Sequence, residues 1–444
     1  MNSNYFIIPL IHRFTTDETL AAKTTLISVD KLAVGMYVDI RLGWSQHPFL
    51  FRRLTIKTAH EIKIIKDLGL KEVLLYPDKS SAESIKASQQ ADEIKEFEEE
   101  AEPQSQEELL QQKQEAIKKA DSFRINRKKI AQQYREKQKR VKNLTSDLKH
   151  SPANAIRDAG EVIEDMLEGF DDESDLLINL VSLSRDDHSN HCHSLNVTVL
   201  SLTIGHALKL PIDQLKVLGL GAILHDIGKA ALPPALMLKK GPKNSSEIKA
   251  LQTHTTLGAR IAESLPEVNP DVIHVIKHHH EFLDGTGFPG KLKGDDISKI
   301  CRIVAIANIY DNLCNHPDPA EAVIPKYAMA ILFKRYQKKL DINLVQLFIK
   351  TFGVYPPGTV VQLSDDSIAL VVSVDPSTIL KPKVLLYNPD IPANQALMIN
   401  LADHDELEVT NVLKPGECPT RVYEYLGIQE NMGFYLETIK RGTR

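Results

Sequence analysis

The chain has 444 residues, of which 42% are hydrophobic and 25% are charged, and its formal net charge is −5 at pH 7. This composition is typical of a soluble globular protein with two to three domains, and it gives no overall reason to expect nucleic acid as a partner. The four cysteines are scattered, and the apolar run from Tyr5 to Ile11 is too short for a membrane span, so we expect a cytoplasmic protein.

The first predicted unit, residues 1–81, is a small α+β domain. Residues 26–29, 35–40 and 72–76 have the length and apolar pattern of strands, and residues 59–68 have helical spacing that ends before a glycine. We interpret His47 and His60 as ordinary polar residues, because no constellation of catalytic residues accompanies them.

Residues 82–150 form a predicted charged helical linker. Residues 92–102 are strongly acidic, whereas residues 124–142 carry nine Lys or Arg against one acid, Glu136. Apolar residues are sparse, which favours a solvated helix or a weak coiled coil through which the protein could form a homodimer. A basic helix could alternatively touch nucleic acid or anionic lipid, but aromatic residues are too few to interleave for base stacking, with Tyr134 alone among residues 124–142.

The core domain, residues 151–350, is predicted to be nearly all helix. Its apolar residues recur at helical spacing in successive segments, and the segments carry histidines on the stripe that should face inward. The remainder, residues 351–444, is predicted to be a strand-rich appendage. Residues 355–363 and 368–372 resemble a hairpin with Asp365-Asp366 at its turn, and residues 383–387 supply a third strand.

Six polar residues of the core domain stand out as possible ligands: His193, His225, Asp226, His254, His279 and His280. A single buried histidine is usually a satisfied core residue, and the adjacent pair His225-Asp226 could be satisfied by its own hydrogen bond. Five histidines and a carboxylate from four helices are harder to satisfy, because each uncompensated polar group costs roughly 1–3 kcal/mol. Two cations about 3.5–4 Å apart, bridged by the carboxylate, would satisfy all of them. The sequence therefore predicts metal binding.

Two segments of the core domain also resemble a known family. Residues 225–229 (HDIGK) and 279–289 (HHEFLDGTGFP) closely resemble the signatures of HD-GYP domains, which are bacterial cyclic di-GMP phosphodiesterases of the HD metal-dependent phosphohydrolase superfamily. The resemblance covers roughly residues 185–330. The first unit resembles the uncharacterised domain that often precedes HD-GYP domains, which implies a sensory or interaction role and other signalling proteins as partners.

The resemblance implies two divalent ions, usually Fe or Mn, with a bridging hydroxide that hydrolyses cyclic di-GMP to linear pGpG, and on to GMP in some members. One ion would be held by His193, His225 and Asp226, and the other by His254, His279 and His280 with Asp226 shared. Lys229 would steady a phosphate oxygen, although a lysine that complements the helix dipole is the alternative. A loop would cover the substrate with Asp284, Gly285, Gly287, Phe288 and Pro289.

Three positions depart from the family pattern. Asn308 stands where the family has an aspartate ligand, so this side of the site would bind its ion weakly or not at all, and Asp311 could replace it only if the helix shifted. Phe288 lacks the hydroxyl of the family tyrosine, and Pro317 stands where the family has an arginine. Two alternatives therefore stay open beside hydrolysis of cyclic di-GMP. One is a degenerate domain that binds the dinucleotide or a partner without turnover, and the other is a phosphohydrolase that acts on another nucleotide.

Overall fold

The computed structural model describes residues 24–43, 46–89, 105–147, 151–168, 190–239, 241–265, 267–316, 321–414 and 417–428. The chain divides into two compact units, Met1–Glu115 and Ala116–Arg444. The predicted class, a multidomain and mostly helical protein with smaller strand-containing regions on either side of the helical core, is confirmed. Among the described residues, no helix combines the length and the apolar character that a bilayer crossing requires.

The first unit contains an antiparallel sheet and short helices. Its elements are β1 (Thr25–Ser28), β2 (Tyr37–Asp39), β3 (Arg53–Thr55), α1 (Ala59–Asp67), β4 (Glu72–Leu75) and α2 (Ala82–Gln89), with strand order β1-β4-β2-β3. Helix α1 begins where the Thr58 side chain and the Glu61 side chain cap each other's backbone N–H groups. Its Ile65 is buried beside Val38 and Val73 of the sheet. Strand β3 was not predicted.

A single long helix, α3 (Gln106–Asp147), begins in the first unit and continues into the second. Its buried residues recur every three to four positions or at multiples of that interval: Leu109, Lys113, Ala116, Ala120, Phe123, Arg127, Tyr134, Val141 and Leu144. This spacing is that of a coiled-coil seam. The seam residues of each unit pack within that unit, so this face of the helix is buried, and a homodimer formed through the helix stays a prediction.

The helical core of the second unit surrounds the candidate ligands. Its helices are α4 (Pro152–Glu168), α5 (Asn190–Ala207), α6 (Ile212–Leu224), α7 (Pro234–Met237), α8 (Ser245–Gln252), α9 (His254–Glu263), α10 (Pro270–His278), α11 (Lys299–Cys314), α12 (Pro325–Arg335) and α13 (Ile342–Phe352). Helix α5 packs on α6 and α11, and α10 packs on α6 and α9.

Two glycines allow the close packing that assembles the centre of this core. A 3₁₀ segment, Ile227–Ala231, follows α6 and packs against α9. A Cβ atom added at Gly228 would lie 1.9 Å from the carbonyl oxygen of His254, so this position requires glycine. Gly258 of α9 lies on the other side of this contact, and a Cβ atom added there would lie 3.1 Å from the backbone nitrogen of Gly228. The glycines thus bring the chain after Asp226 onto the start of α9.

The strand-rich part of the second unit is an antiparallel sheet. Its strands are β5 (Val360–Leu363), β6 (Ile368–Ser373), β7 (Lys383–Tyr387), β8 (Met398–Asn400) and β9 (Val409–Val412) in the order β8-β7-β6-β5-β9, followed by α14 (Thr420–Tyr425). The predicted hairpin and third strand are present as β5, β6 and β7, and Asp366 adopts φ +68° in the turn. Strands β8 and β9 and helix α14 were not predicted. Phe123 of α3 packs into the same apolar cluster as this sheet.

Candidate metal centre

Three histidines are oriented by hydrogen bonds within their own turns of chain. Nδ1 of His225 lies 2.6 Å from the Ala222 carbonyl oxygen, Nδ1 of His254 lies 2.6 Å from that of Leu251, and Nδ1 of His279 lies 2.9 Å from that of Ile276. A carbonyl oxygen only accepts, so each Nδ1 carries the proton and donates it. Each Nε2 therefore has a free lone pair, which is the state in which imidazole binds a metal ion.

A fourth histidine is oriented by a carboxylate. His193 on α5 donates from Nδ1 to Oδ2 of Asp311 on α11 at 2.6 Å, so its Nε2 also has a free lone pair. That Nε2 lies 3.2 Å from Nε2 of His225. The corresponding distance between His254 and His279 is 3.4 Å. The facing nitrogens of each pair are therefore placed where one cation could bind both.

The carboxylate of Asp226 lies between the two pairs. Its Oδ2 is 3.3 Å from Nε2 of His225 and 3.7 Å from Nε2 of His193, whereas its Oδ1 is 3.3 Å from Nε2 of His254 and 4.0 Å from Nε2 of His279. Each oxygen therefore faces one histidine pair. This division is the geometry of a bridging carboxylate.

The donor atoms form two groups with the spacing of metal ligands. His193, His225 and Asp226 are one group, and His254, His279 and His280 are the other, with the ligand atoms of each group within 4.8 Å of one another. The ring of His280 lies 4.3 Å from that of His279. The structure thus brings together all six residues that the sequence singled out.

The chemistry of the site fits divalent cations. Asp226 Oδ1 is buried and accepts no hydrogen bond from any described residue, and such an atom is costly unless an ion satisfies it. Burial and the neighbouring His280 lower the pKa of His279 well below its usual value, and burial and His254 do the same for the pKa of His280. Neutral imidazoles and a carboxylate form a donor set suited to first-row transition metals.

Lys229 contacts the centre through Asp226. Its Nζ donates to Oδ2 of Asp226 at 2.5 Å, from the 3₁₀ segment that follows α6. Burial alone would raise the pKa of the Asp226 carboxyl, but the ammonium charge of Lys229 opposes burial, and that pKa lies well below its usual value. Asp226 is therefore ionised and available as a ligand. The lysine makes a specific ion pair here, beyond the general attraction to a helix end.

Helix α11 contributes two buried polar residues, Asn308 and Asp311. Asn308 is buried, and its Oδ1 accepts a hydrogen bond from Nδ2 of Asn312 at 2.6 Å. Asp311 was considered as a replacement ligand, but its Oδ2 is engaged by Nδ1 of His193, and its Oδ1 accepts from Nδ2 of Asn196 at 2.9 Å. Asp311 therefore orients a ligand from the side opposite the centre. Pro317 lies outside the described residues.

The predicted substrate loop folds over the second histidine group. The Phe288 ring stacks on the ring of His280, with centroids 4.6 Å apart and an interplanar angle of 20°. Asp284 Oδ1 accepts from both the backbone N–H and the hydroxyl of Thr286, which forms a turn at the exposed tip. Gly285 adopts φ +76° in that turn.

The base of this loop is held by close backbone packing and a buried carboxylate. A Cβ atom at Gly287 would lie 2.5 Å from Glu281 Cα, so in the structure this glycine serves packing against the protein backbone. The Glu281 carboxylate is buried and accepts the backbone N–H groups of Gly290 at 2.5 Å and Leu292 at 3.1 Å. Pro289 is half-buried and connects Phe288 to Gly290.

A cavity of about 130 Å³ adjoins the centre. Asp226, Lys229 and Ser194 line its polar side, and Val141 and Leu144 of α3 line its apolar side. Sequence reasoning missed this contribution of α3, and it also missed Tyr134, Asn196 and the clamping role of Glu281. Only Glu281 could have been found by its place in a motif, since it lies inside the HHEFLDGTGFP segment.

Two regions of the chain match known family models. Residues 175–344 match the HD domain family, and residues 24–159 match a domain of unknown function, DUF3391, which extends beyond the predicted first unit into α3 and α4. The chain is 26% identical over 363 residues to a cyclic di-GMP phosphodiesterase of Pseudomonas aeruginosa, covering 81% of this chain and 84% of the relative.

Two further relatives match over smaller shares. The cyclic di-GMP phosphodiesterase PdeB of Borreliella burgdorferi is 25% identical over 54% of this chain and 60% of its own length. The 3'3'-cGAMP-specific phosphodiesterase 3 of Vibrio cholerae is 32% identical over 37% of this chain and 35% of its own length. The chain thus spans most of the first relative but less than two thirds of these two.

Proposed function

We propose, from the premise that this chain is an HD-domain protein with a preceding DUF3391 domain, that it is a metal-dependent phosphodiesterase of the HD-GYP type, which hydrolyses cyclic di-GMP to linear pGpG. The observation that carries the proposal is the division of four imidazoles between the two oxygens of Asp226, with His280 completing the second group. The relatives named as cyclic di-GMP phosphodiesterases support hydrolysis over a degenerate, non-hydrolysing receptor.

In this proposal the chain holds two divalent ions, with Fe or Mn as the candidates. His193, His225 and Asp226 hold one, and His254, His279, His280 and the shared Asp226 hold the other. Bound there, the ions supply a water molecule of lowered pKa and offset the negative charge of the phosphodiester. Asn308 can add only a neutral oxygen to the first group, so that ion is the weaker of the two.

The chain's own residues bind and orient the dinucleotide. Lys229, which lies beside Asp226 and lines the adjoining cavity, directs its ammonium group at a non-bridging phosphate oxygen. The loop with Asp284, Gly285, Gly287, Phe288 and Pro289 covers the substrate, and the face of the Phe288 ring turned away from His280 contacts a base. The four buried cysteines, none in a disulfide, support a reducing cytoplasm as the location.

The experiment that tests the proposal combines metal analysis with a hydrolysis assay. The full chain is purified anaerobically, its Fe and Mn content is measured, and it is incubated separately with cyclic di-GMP and 3'3'-cGAMP. We expect two ions per chain and conversion of cyclic di-GMP to pGpG. Asp226→Ala should lose both ions and hydrolysis, and His225→Ala should lose the first ion and hydrolysis. A protein that binds two ions but hydrolyses neither dinucleotide would contradict the proposal. Faster hydrolysis of 3'3'-cGAMP would reassign the substrate.

A further inference from the structure

A chain of buried hydrogen bonds connects helix α3 to the metal centre. The Tyr134 hydroxyl of α3 donates to Oδ1 of Asn196 at 2.5 Å, and Nδ2 of Asn196 donates to Oδ1 of Asp311 at 2.9 Å. Asp311 in turn accepts from Nδ1 of His193 through its other oxygen. Tyr134 is 4% exposed, Asn196 1% and Asp311 1%, so water does not compete for these bonds.

The Asp311 carboxylate determines which group donates and which accepts in each of these hydrogen bonds. Asp311 accepts through both oxygens, so Asn196 must turn its NH₂ group towards it. The amide oxygen of Asn196 then faces α3 and requires a donor, and the Tyr134 hydroxyl is that donor. Without the hydroxyl, Asn196 would leave its carbonyl oxygen buried without this partner, or rotate and remove a donor from Asp311.

Neighbouring contacts hold α3 at the turn of α5 that carries His193. Nε2 of Gln138, one turn after Tyr134, donates to Sγ of Cys192 at 3.1 Å. Arg140 forms ion pairs with Glu161 and Asp165 of α4 at 3.1 and 2.7 Å. These contacts leave Tyr134 little freedom to move away from Asn196.

We propose that Tyr134 is a positioning residue for the metal ligand His193, and that α3 is thereby part of the support of the metal centre. Partners that orient a ligating histidine typically change metal affinity by about 10–100-fold. The relay reaches only the group formed by His193, His225 and Asp226, because no link of it contacts His254, His279 or His280. The inference depends on one part of the proposed function, namely that the group formed by His193, His225 and Asp226 binds a metal ion.

The test measures Mn²⁺ binding to the metal-free full chain, by titration, in Tyr134→Phe. We expect one of two ions to bind about 10-fold or more weakly and the other to bind as in the wild type. Tyr423→Phe is the matched control, because it removes a buried tyrosine hydroxyl that donates to the Lys414 carbonyl in the strand-rich region. This control should bind both ions normally. Unchanged binding by Tyr134→Phe, or equal weakening of both ions, would overturn the proposal.

Two further measurements separate positioning from general destabilisation. Asn196→Ser interrupts the same relay while Tyr134 stays in place, so it should weaken the same ion if Tyr134→Phe does not fold. In the double variant Tyr134→Phe/Asp311→Asn, loss of the hydroxyl should weaken binding little beyond Asp311→Asn alone, because the relay is already broken. If the losses of Mn²⁺ affinity in the two single variants add up in the double variant, the proposed relay is refuted. If the wild type hydrolyses no dinucleotide but Tyr134→Phe still weakens one ion, only the proposed function fails.

Discussion

The ammonium group of Lys229 lies 2.5 Å from Oδ2 of Asp226, the carboxylate oxygen that faces His193 and His225. This pairing places a positive charge at the edge of the candidate metal centre and beside the adjoining cavity. The same lysine can therefore hold Asp226 in its ionised form and attract the substrate.

Replacing Lys229 tests whether it contacts the substrate in addition to pairing with Asp226. Lys229→Met should lower kcat/KM for cyclic di-GMP by about 10²-fold, because one phosphate contact is lost, while the two ions remain bound. Lys216→Met is the control, since it removes an exposed lysine that pairs with Glu164 away from the centre. Steady-state kinetics with metal analysis provides the measurement. Wild-type kcat/KM in Lys229→Met would show that the lysine serves only to pair Asp226.

Restoring a carboxylate on α11 should strengthen the weaker ion. Asn308→Asp adds a negative charge at a buried position one turn before Asp311, so the affinity for Mn²⁺ at the first group should rise by about 10-fold or more, with faster hydrolysis. Asn269→Asp adds the same charge at the N-terminal cap of α10 and should change neither quantity. An unchanged titration in Asn308→Asp would show that this position lies outside the ligand set.

The buried Glu281 carboxylate should control the loop over the second histidine group. In Glu281→Gln an NH₂ group replaces one of the two oxygens that accept from Gly290 and Leu292, so one backbone N–H loses its acceptor. We expect a loss of about 1–3 kcal/mol in the free energy of unfolding and a KM for cyclic di-GMP raised about 10-fold. Exposed Glu263 supplies the control variant, Glu263→Gln. If KM is unchanged although stability falls, the loop does not bind substrate.

The first unit contains a histidine that should make its stability depend on pH. His47 is 3% exposed, neither ring nitrogen has a hydrogen-bond partner among the described residues, and burial together with Lys113 lowers its pKa from 6.5 to about 4. Between these values the unfolded chain binds the proton and the folded chain does not. The free energy of unfolding should therefore fall as pH decreases from about 6.5 to about 4.

The variant His47→Phe isolates the contribution of His47 to the pH dependence of stability. His47→Phe keeps a ring but cannot bind a proton, so its loss of stability between pH 7.5 and pH 5 should be about 1–2 kcal/mol smaller than that of the wild type. Urea denaturation at the two pH values, followed by a signal from the first unit, is the measurement. His60→Gln retains His47 and should follow the wild-type curve. Identical pH dependence in His47→Phe and the wild type would refute the prediction.

The six candidate ligands could be predicted because each lies on an apolar stripe or at a helix end, where a polar residue is conspicuous. Their division into two groups was predicted from the family resemblance, and the structure brings the same groups together. The role of Asp311 could not be predicted, since whether it faces the ions or the far side of His193 depends on the rotation of α11. Short strands such as β3 and β8 have only three residues each, too few for a periodic pattern.

Helix α3 shows a second limit of sequence reasoning. Its buried stripe contains Lys113 and Arg127, so the apolar pattern that normally reveals a packed helix is interrupted. Arg127 is satisfied by the Leu426 carbonyl, 299 positions away along the chain, which no local pattern can reveal. Tyr134 could not be singled out for the same reason, because its partner Asn196 lies 62 positions further along the chain.

The facing nitrogens of His193 and His225, and of His254 and His279, have a consequence for the life of the protein in a cell. The Nε2 atoms of the two pairs lie 3.2 and 3.4 Å apart, so a cation bound by both nitrogens of a pair would hold the folded arrangement together. A ligand that binds only the folded state raises its population in proportion to occupancy. Chains synthesised when the divalent metal is scarce should therefore be cleared faster by proteases, so that metal supply would set the abundance of the protein as well as its activity.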